Sequence, residues 1–263
     1  MSKLKKTNIL IYIYISIISL CLTNCQTTNI AQKKQAESLR NLGEAYLRQG
    51  DFNSALRTLF DAQLLTPKDA YIQNDIGLAY LGKKRPDLAI DHFKNAIQLK
   101  SEYADALNNL GISYLENQQY LDAIQCFKKA LDNLIYATPH IPMANLGRAY
   151  YAIQEYDKAM SYFEQAIERS PDFAIAHRGL GQVYTAQNDY KNAISSFQEA
   201  IRVAPRFSEA HFELGQIYEK LRQFPNAVQH YHQAIRFSQN ASFKRIVQKK
   251  LDQIQHFEMD YQY

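Results

Sequence analysis

Six residues stand two positions before a recurring glycine: Asn41, Asp75, Asn109, Asn145, Gly179 and Glu213. Three are amides, and an amide offers both a donor and an acceptor, which suits a sequence-tolerant hold on a peptide main chain. The positions three before and one after each glycine read Arg40/Glu44, Asn74/Leu78, Asn108/Ile112, Ala144/Arg148, Arg178/Gln182 and Phe212/Gln216. Leu78, Ile112, Leu115 and Tyr151 add a partly apolar floor in the second to fourth repeats. Such a floor fits an extended or helical segment with apolar anchors.

Catalytic patterns are missing from the chain. It has no H-E-x-x-H pair, no phosphate-binding glycine loop, no paired CxxC and no nucleophile elbow. His230 and His232 are two apart on a helical stretch, so they project about 200° apart and cannot share one metal in the usual way. His177 and His211 fall at a bulky apolar position and read as core or edge histidines. The expectation is a binding protein and not an enzyme, with no cofactor, metal, nucleic acid or small-molecule substrate.

The elements that position these residues are legible from the glycines themselves. An apolar-Gly-x-x-Tyr motif places Gly43, Gly77, Gly111, Gly147, Gly181 and Gly215 ahead of Tyr46, Tyr80, Tyr114, Tyr150, Tyr184 and Tyr218. Five intervals separate six glycines, four near 34 residues and one slightly longer, a period that marks a helical solenoid. Each glycine is followed by two alanines at fixed offsets, Ala55 and Ala62 in the first repeat and Ala227 and Ala234 in the last. Between them stands a large side chain: Leu59, Phe93, Phe127, Phe163, Phe197 or Tyr231. Small residues let two helix backbones approach, and the large ones fill the space around the contact. Turns such as Gln49-Gly50-Asp51 and Gln187-Asn188-Asp189 separate the two helices of a unit. Pro67, Pro171 and Pro205 fit the start of the next unit, where a free N–H is not needed.

This pattern resembles the tetratricopeptide repeat (TPR). The resemblance implies an all-α fold, a right-handed TPR α-solenoid of six helix-turn-helix repeats over 36–239. Gln73, His177 and His211 replace the bulky residue that usually precedes the Leu-Gly pair, so packing there is expected to be less regular. A last amphipathic stretch over 240–258 carries Phe243, Ile246, Val247, Leu251, Ile254 and Phe257 on one stripe and reads as a capping helix. Met259 to Tyr263 reads as a frayed end. The third repeat runs two residues over period through Asp132 to Pro139, with Pro139 and Pro142 bracketing the next helix.

The N-terminus reads as a targeting segment. Lys3, Lys5 and Lys6 precede an apolar run from Ile9 to Leu20, the length of a signal-peptide core. Leu22-Thr23-Asn24-Cys25 resembles the lipobox of bacterial lipoproteins, with Asn24 in place of the usual Gly or Ala. The resemblance implies a signal peptide over 1–24, a lipidated (palmitate-bearing) Cys25 and a polar tether over 25–35. Cys21, with Ile18 before it, is a weaker candidate. Gln26 after the cysteine favours the outer membrane, facing the periplasm. Three lysines and no acid lie before Cys25, so processing lowers the formal net charge from +4 to +1. Nothing in that balance implies nucleic acid. Cys126 would then be the last cysteine, a small semi-buried hydrophobe.

In TPR proteins that hold extended peptides, Asn at the place of Asn41, Asn109 and Asn145 points into the groove. By that resemblance Asn41, Asn74, Asp75, Asn108, Asn109 and Asn145 line a peptide-binding groove, together with Arg40, Glu44, Leu78, Ile112, Arg148, Arg178 and Gln182. The Lys and Asn cluster by which some TPRs capture a C-terminal carboxylate is absent, since Glu44, Asp75 and Asp105 supply the wrong groups. Six TPRs behind a lipoprotein signal, with the extended Leu131–Tyr136 segment, resemble the type IV pilus biogenesis lipoproteins (pilotins). That implies a membrane-anchored adaptor binding another envelope protein and assisting pilus or secretin assembly. The alternative is a TPR scaffold lipoprotein that recruits cell-wall enzymes.

Overall fold

The computed structural model describes residues 30–133 and 136–260, with side chains to 254. They hold thirteen helices and no strand. Helix α1 occupies 30–49, followed by α2 (Phe52–Leu65), α3 (Ala70–Gly82), α4 (Pro86–Leu99) and α5 (Ala104–Glu116). These form a first compact unit ending at Asn117. The second unit contains α6 (Tyr120–Leu131), α7 (His140–Ala152), α8 (Tyr156–Arg169), α9 (Ala174–Ala186), α10 (Tyr190–Val203), α11 (Ser208–Lys220), α12 (Phe224–Phe237) and α13 (Ala241–Asp260). Within each unit consecutive helices pack antiparallel as an α-solenoid, and α3 touches α5 as α7 touches α9. The first helices α3 and α5 therefore lie side by side in the first unit, as α7 and α9 do in the second.

The repeating glycine is required by a close approach. A Cβ on Gly77 would stand 2.7 Å from the Phe93 ring, and one on Gly147, Gly181 or Gly215 would be 2.7 Å from Phe163, Phe197 or Tyr231. The large residue between the paired alanines thus slots against the glycine of its own repeat. The large side chains are fully enclosed: Phe93, Phe127 and Tyr231 are 0% exposed. In the first repeat Ala55, Leu59 and Ala62 pack against Ile72, Ile76 and Ala79 of the next. Such mutual cover is what one helix pair alone lacks.

The turn inside each repeat carries one left-handed residue, and five of the six show the same hydrogen bonds. Gly50, Lys84, Gln118, Gln154, Asn188 and Arg222 all have φ between +56° and +76°. The next residue donates its N–H to the carbonyl of the motif tyrosine, as Arg85 does to Tyr80 (3.0 Å) and Gln223 to Tyr218 (2.8 Å). The left-handed residue itself bonds three back, as Lys84 does to Leu81. These are Schellman ends, which satisfy the last carbonyls of the helix.

Several expectations need correction. Pro67, Pro171 and Pro205 do not begin helices. Each is the second residue of a four-residue turn, closed by Asp69 N–H to Thr66 O, Phe173 to Ser170 and Phe207 to Ala204. Proline's fixed φ suits that position. Pro86 and Pro225 stand in the first turns of α4 and α12, and Pro139 and Pro142 at the start of α7. Residues 30–35, expected in a tether, belong to α1 and are exposed, with burial starting at Ala36. On α13, Val247, Leu251 and Ile254 bury against Ala227, Tyr231 and Ala234, as a cap should. Ile246 is 56% exposed and lies off that stripe. Asn240 caps α13, accepting from Ser242 and Phe243 N–H. Phe257, the end after Asp260 and the targeting segment with Cys25 lie outside the described side chains. Cys126 is buried.

Candidate functional site

Within each unit, positions flanking the repeat glycines on the first helices form rungs that cross between neighbouring repeats. A side chain three before one glycine reaches the side chain two before the next. Arg178 donates from Nε to Glu213 Oε2 (2.7 Å) and from Nη2 to Oε1 (2.6 Å), across 35 residues. Gln182 adds a third bond to Glu213 Oε1 at 2.7 Å. Asn109 Nδ2 donates to Asn74 Oδ1 at 3.0 Å, across the same 35 residues. At the corresponding rung of the fourth and fifth repeats Ala144 and Gly179 have no polar group to offer. A Cβ on Gly179 would meet the Phe163 ring at 2.3 Å.

The first rung is different. Arg40 turns to Glu44 on its own helix, with Nε at 3.0 Å and Nη2 at 2.9 Å from Oε1. Asp75 Oδ2 lies 3.4 Å from Arg40 Nε, and its geometry makes no hydrogen bond. The other oxygen accepts from Asn74 Nδ2 at 3.2 Å. Asp75 is only 6% exposed. Burial pushes its carboxyl up to about 7, with Glu44 and Asp69 adding to the rise and Asn74 and Arg40 opposing it.

Aromatic rings frame this corner. The Arg40 guanidinium sits 5.2 Å from the Tyr71 ring centre. Lys100 donates to Tyr71 Oη (2.7 Å) and lies over both Tyr71 and Tyr103. Tyr71 and Tyr103 meet edge to face at 5.1 Å. Arg40 and Tyr71 also line an open cleft of about 870 Å³ beside the Thr66–Asp69 turn, with Lys33, Glu37 and Lys68 on its rim.

Asn41 is exposed on α1. Asn74, Asn108 and Asn145 are buried. Asn145 Oδ1 accepts from Arg148 Nη1 at 3.1 Å. Leu78 and Ile112 are half-buried, leaving apolar surface on α3 and α5. Asn74 and Asn109 are bonded to each other, and Asn145 to Arg148.

The histidines hold structure together. His211 is buried, its Nε2 3.1 Å from the Pro205 carbonyl and its Nδ1 3.1 Å from His230 Nδ1. A carbonyl only accepts, so His211 carries its proton on Nε2 and His230 donates from Nδ1. Burial and His211 push His230 down to about 4. His92 takes the equivalent place in the second repeat, against Gln73 Oε1 at 3.0 Å and stacked on Tyr80. The irregular position before Leu-Gly is thus filled by a polar pair in these repeats. Among the described residues no three His, Cys, Asp or Glu side chains could hold a metal.

Family profiles for the tetratricopeptide repeat match residues 38–71, 68–135, 102–172, 145–202 and 184–242. The chain belongs to the tetratricopeptide repeat family. Among solved TPR structures it is similar to PilF of Pseudomonas aeruginosa (18% identity, TM-score 0.67, covering 84% of this chain and 99% of that one). It is also similar to PilW, a widely conserved type IV pilus biogenesis factor (20% identity, TM-score 0.71, covering 81% and 97%). A sequence relative is the anaphase-promoting complex subunit cut9 of Schizosaccharomyces pombe, 35% identical over 72 residues. That match spans 27% of this chain and 11% of cut9.

Proposed function

We propose that this TPR protein is an adaptor of the bacterial envelope, anchored by lipid on Cys25. It holds another envelope protein on the inner faces of its first helices and assists assembly of a type IV pilus or its secretin. The observation that carries the binding role is the inner ladder. Its charged, amide and half-buried apolar groups, Leu78 and Ile112 among them, are what an interaction surface needs. The likeness in fold to PilW over nearly all of that protein supports the pilus reading, and the lipobox-like Leu22–Cys25 supports the anchor. No helix of the described residues is long and apolar enough to cross a membrane.

The test is complementation. A deletion strain is given wild type, Leu78→Asp/Ile112→Asp, or Cys25→Ala, and surface pili and assembled secretin are quantified. Wild type restores both, and the groove and anchor variants restore neither while remaining folded. Normal pili in the deletion strain, with altered cell-wall hydrolase activity instead, would move the partner to the wall-enzyme class.

A further inference from the structure

The first and last rungs of the ladder are the same construction with opposite outcomes. Each pairs an arginine three before a glycine with a carboxylate two before the next, at one sequence offset. In the last rung Glu213 has both oxygens met by the Arg178 fork, and Gln182, one after the glycine, adds a donor. In the first rung the carboxylate is one methylene shorter, and the residue one after the glycine is Glu44, an acceptor where Gln182 donates. Glu44 takes the Arg40 Nε–H at 3.0 Å, so the same N–H does not serve Asp75 Oδ2 at 3.4 Å. An oxygen enclosed within a 6% exposed residue is left without a donor. A buried acceptor in that state is costly and calls for a partner.

The charges around it say which partner. Asp75 faces Asp69 and Glu44 as well as Arg40, and Arg40 is already committed to Glu44. Tyr71 and Tyr103, the latter with its hydroxyl pushed up by burial and by the charge of Asp75, supply ring faces that accept cations and already carry Lys100. Asn74 donates to the other carboxylate oxygen and accepts from Asn109.

We propose that Asp75 is the anchor point for a lysine or arginine side chain of the bound protein segment, entering between α1 and α3 and supplying the donor that Arg40 withholds. This rests on the reading that the inner face binds protein. The rung at Glu213 is closed and has no such role, so specificity for a basic side chain resides in the first unit. Binding of a cation needs Asp75 ionised, which makes affinity rise as pH goes from 6 to 8.

The test uses the full chain in detergent and positional-scanning pools of acetylated, amidated decapeptides. The scanned residue is lysine, arginine, citrulline, norleucine or glutamate. At pH 8 the lysine and arginine pools should bind about tenfold tighter than the citrulline and norleucine pools, the scale of one charge-assisted contact. The preference should weaken about as much on going to pH 6, following carboxyl ionisation. Asp75→Asn should remove it. So should Glu44→Gln/Asp75→Glu, which rebuilds the closed rung and keeps the fold independent of the first variant. Pools that bind equally, or a preference that survives in both variants, would overturn the assignment and leave the binding face standing. No binding by any pool would overturn both.

Discussion

Arg178 and Glu213, on neighbouring first helices, share two hydrogen bonds of 2.7 and 2.6 Å with side chains 27% and 18% exposed. A bidentate, partly desolvated pair holds two helices in register in a way a single surface ion pair does not. Glu213→Ala should lower stability by about 1–2 kcal/mol after allowing for solvent screening. The Arg178/Glu213 double-mutant cycle should give a coupling of about 1 kcal/mol, measured by urea unfolding. Additive single effects would show that the pair is ornamental.

Asp75 gives a pH dependence of opposite sign to an ordinary salt-bridged carboxylate. Its folded value, pushed up to about 7, lies above the unfolded value of 3.8. Between those values the folded protein binds more protons than the unfolded chain, so this residue's contribution to stability falls as pH rises from about 4 to about 7. The slope is at most about 1.4 kcal/mol per pH unit. Asp75→Asn should flatten the stability profile in that window and be the more stable protein at pH 8. Parallel profiles for the two proteins would mean that the carboxyl is not perturbed.

The left-handed turn residues are a reserve of stability. Lys84, Gln154 and Arg222 occupy a conformation that costs non-glycine residues roughly 1 kcal/mol. Lys84→Gly and Arg222→Gly should each raise the thermal midpoint. Gly50→Ala, at φ +76°, should lower it. Differential scanning calorimetry on the three single variants separates these signs.

Gly181→Ala should be among the most damaging small changes. The added methyl would stand 2.7 Å from the Phe197 ring, itself 1% exposed with no room to withdraw. Overpacking of this kind costs about 1–3 kcal/mol. Gly43→Ala should cost about as much, because the fully buried Leu59 Cγ would stand 2.6 Å from the added methyl. Chemical denaturation of both gives the comparison.

Much of this architecture is legible in the glycine, tyrosine and alanine offsets, because each repeat solves one packing problem with the same residues. Gly50 and Asn188 also announce their turns, since glycine and asparagine tolerate positive φ. Lys84, Gln154 and Arg222 do the same work without announcing it. Their conformation is imposed by the Schellman bonds and the flanking helices, not by their own preference. The prolines misled for a related reason: Pro67 and Pro86 are both allowed residues near a helix start, and only the turn geometry tells them apart. On the inner face the residues themselves were visible, but their partners were not. Asn109 reads as an open amide until Asn74 is placed against it. The first rung depends on the one methylene separating Asp75 from Glu213 and on Glu44 standing where Gln182 stands later. The Arg40–Asp75 and Arg178–Glu213 offset, common to both, was the available signal.

The central claim is that a protein partner lies along the inner faces of the first helices. A photoreactive benzophenone amino acid placed at Leu78 or Ile112, and separately at Leu64 on α2 (80% exposed), tests it directly in living cells. The two inner positions should crosslink to one and the same envelope protein, and Leu64 should not. Crosslinks from Leu64 alone, or to unrelated proteins from every position, would contradict it.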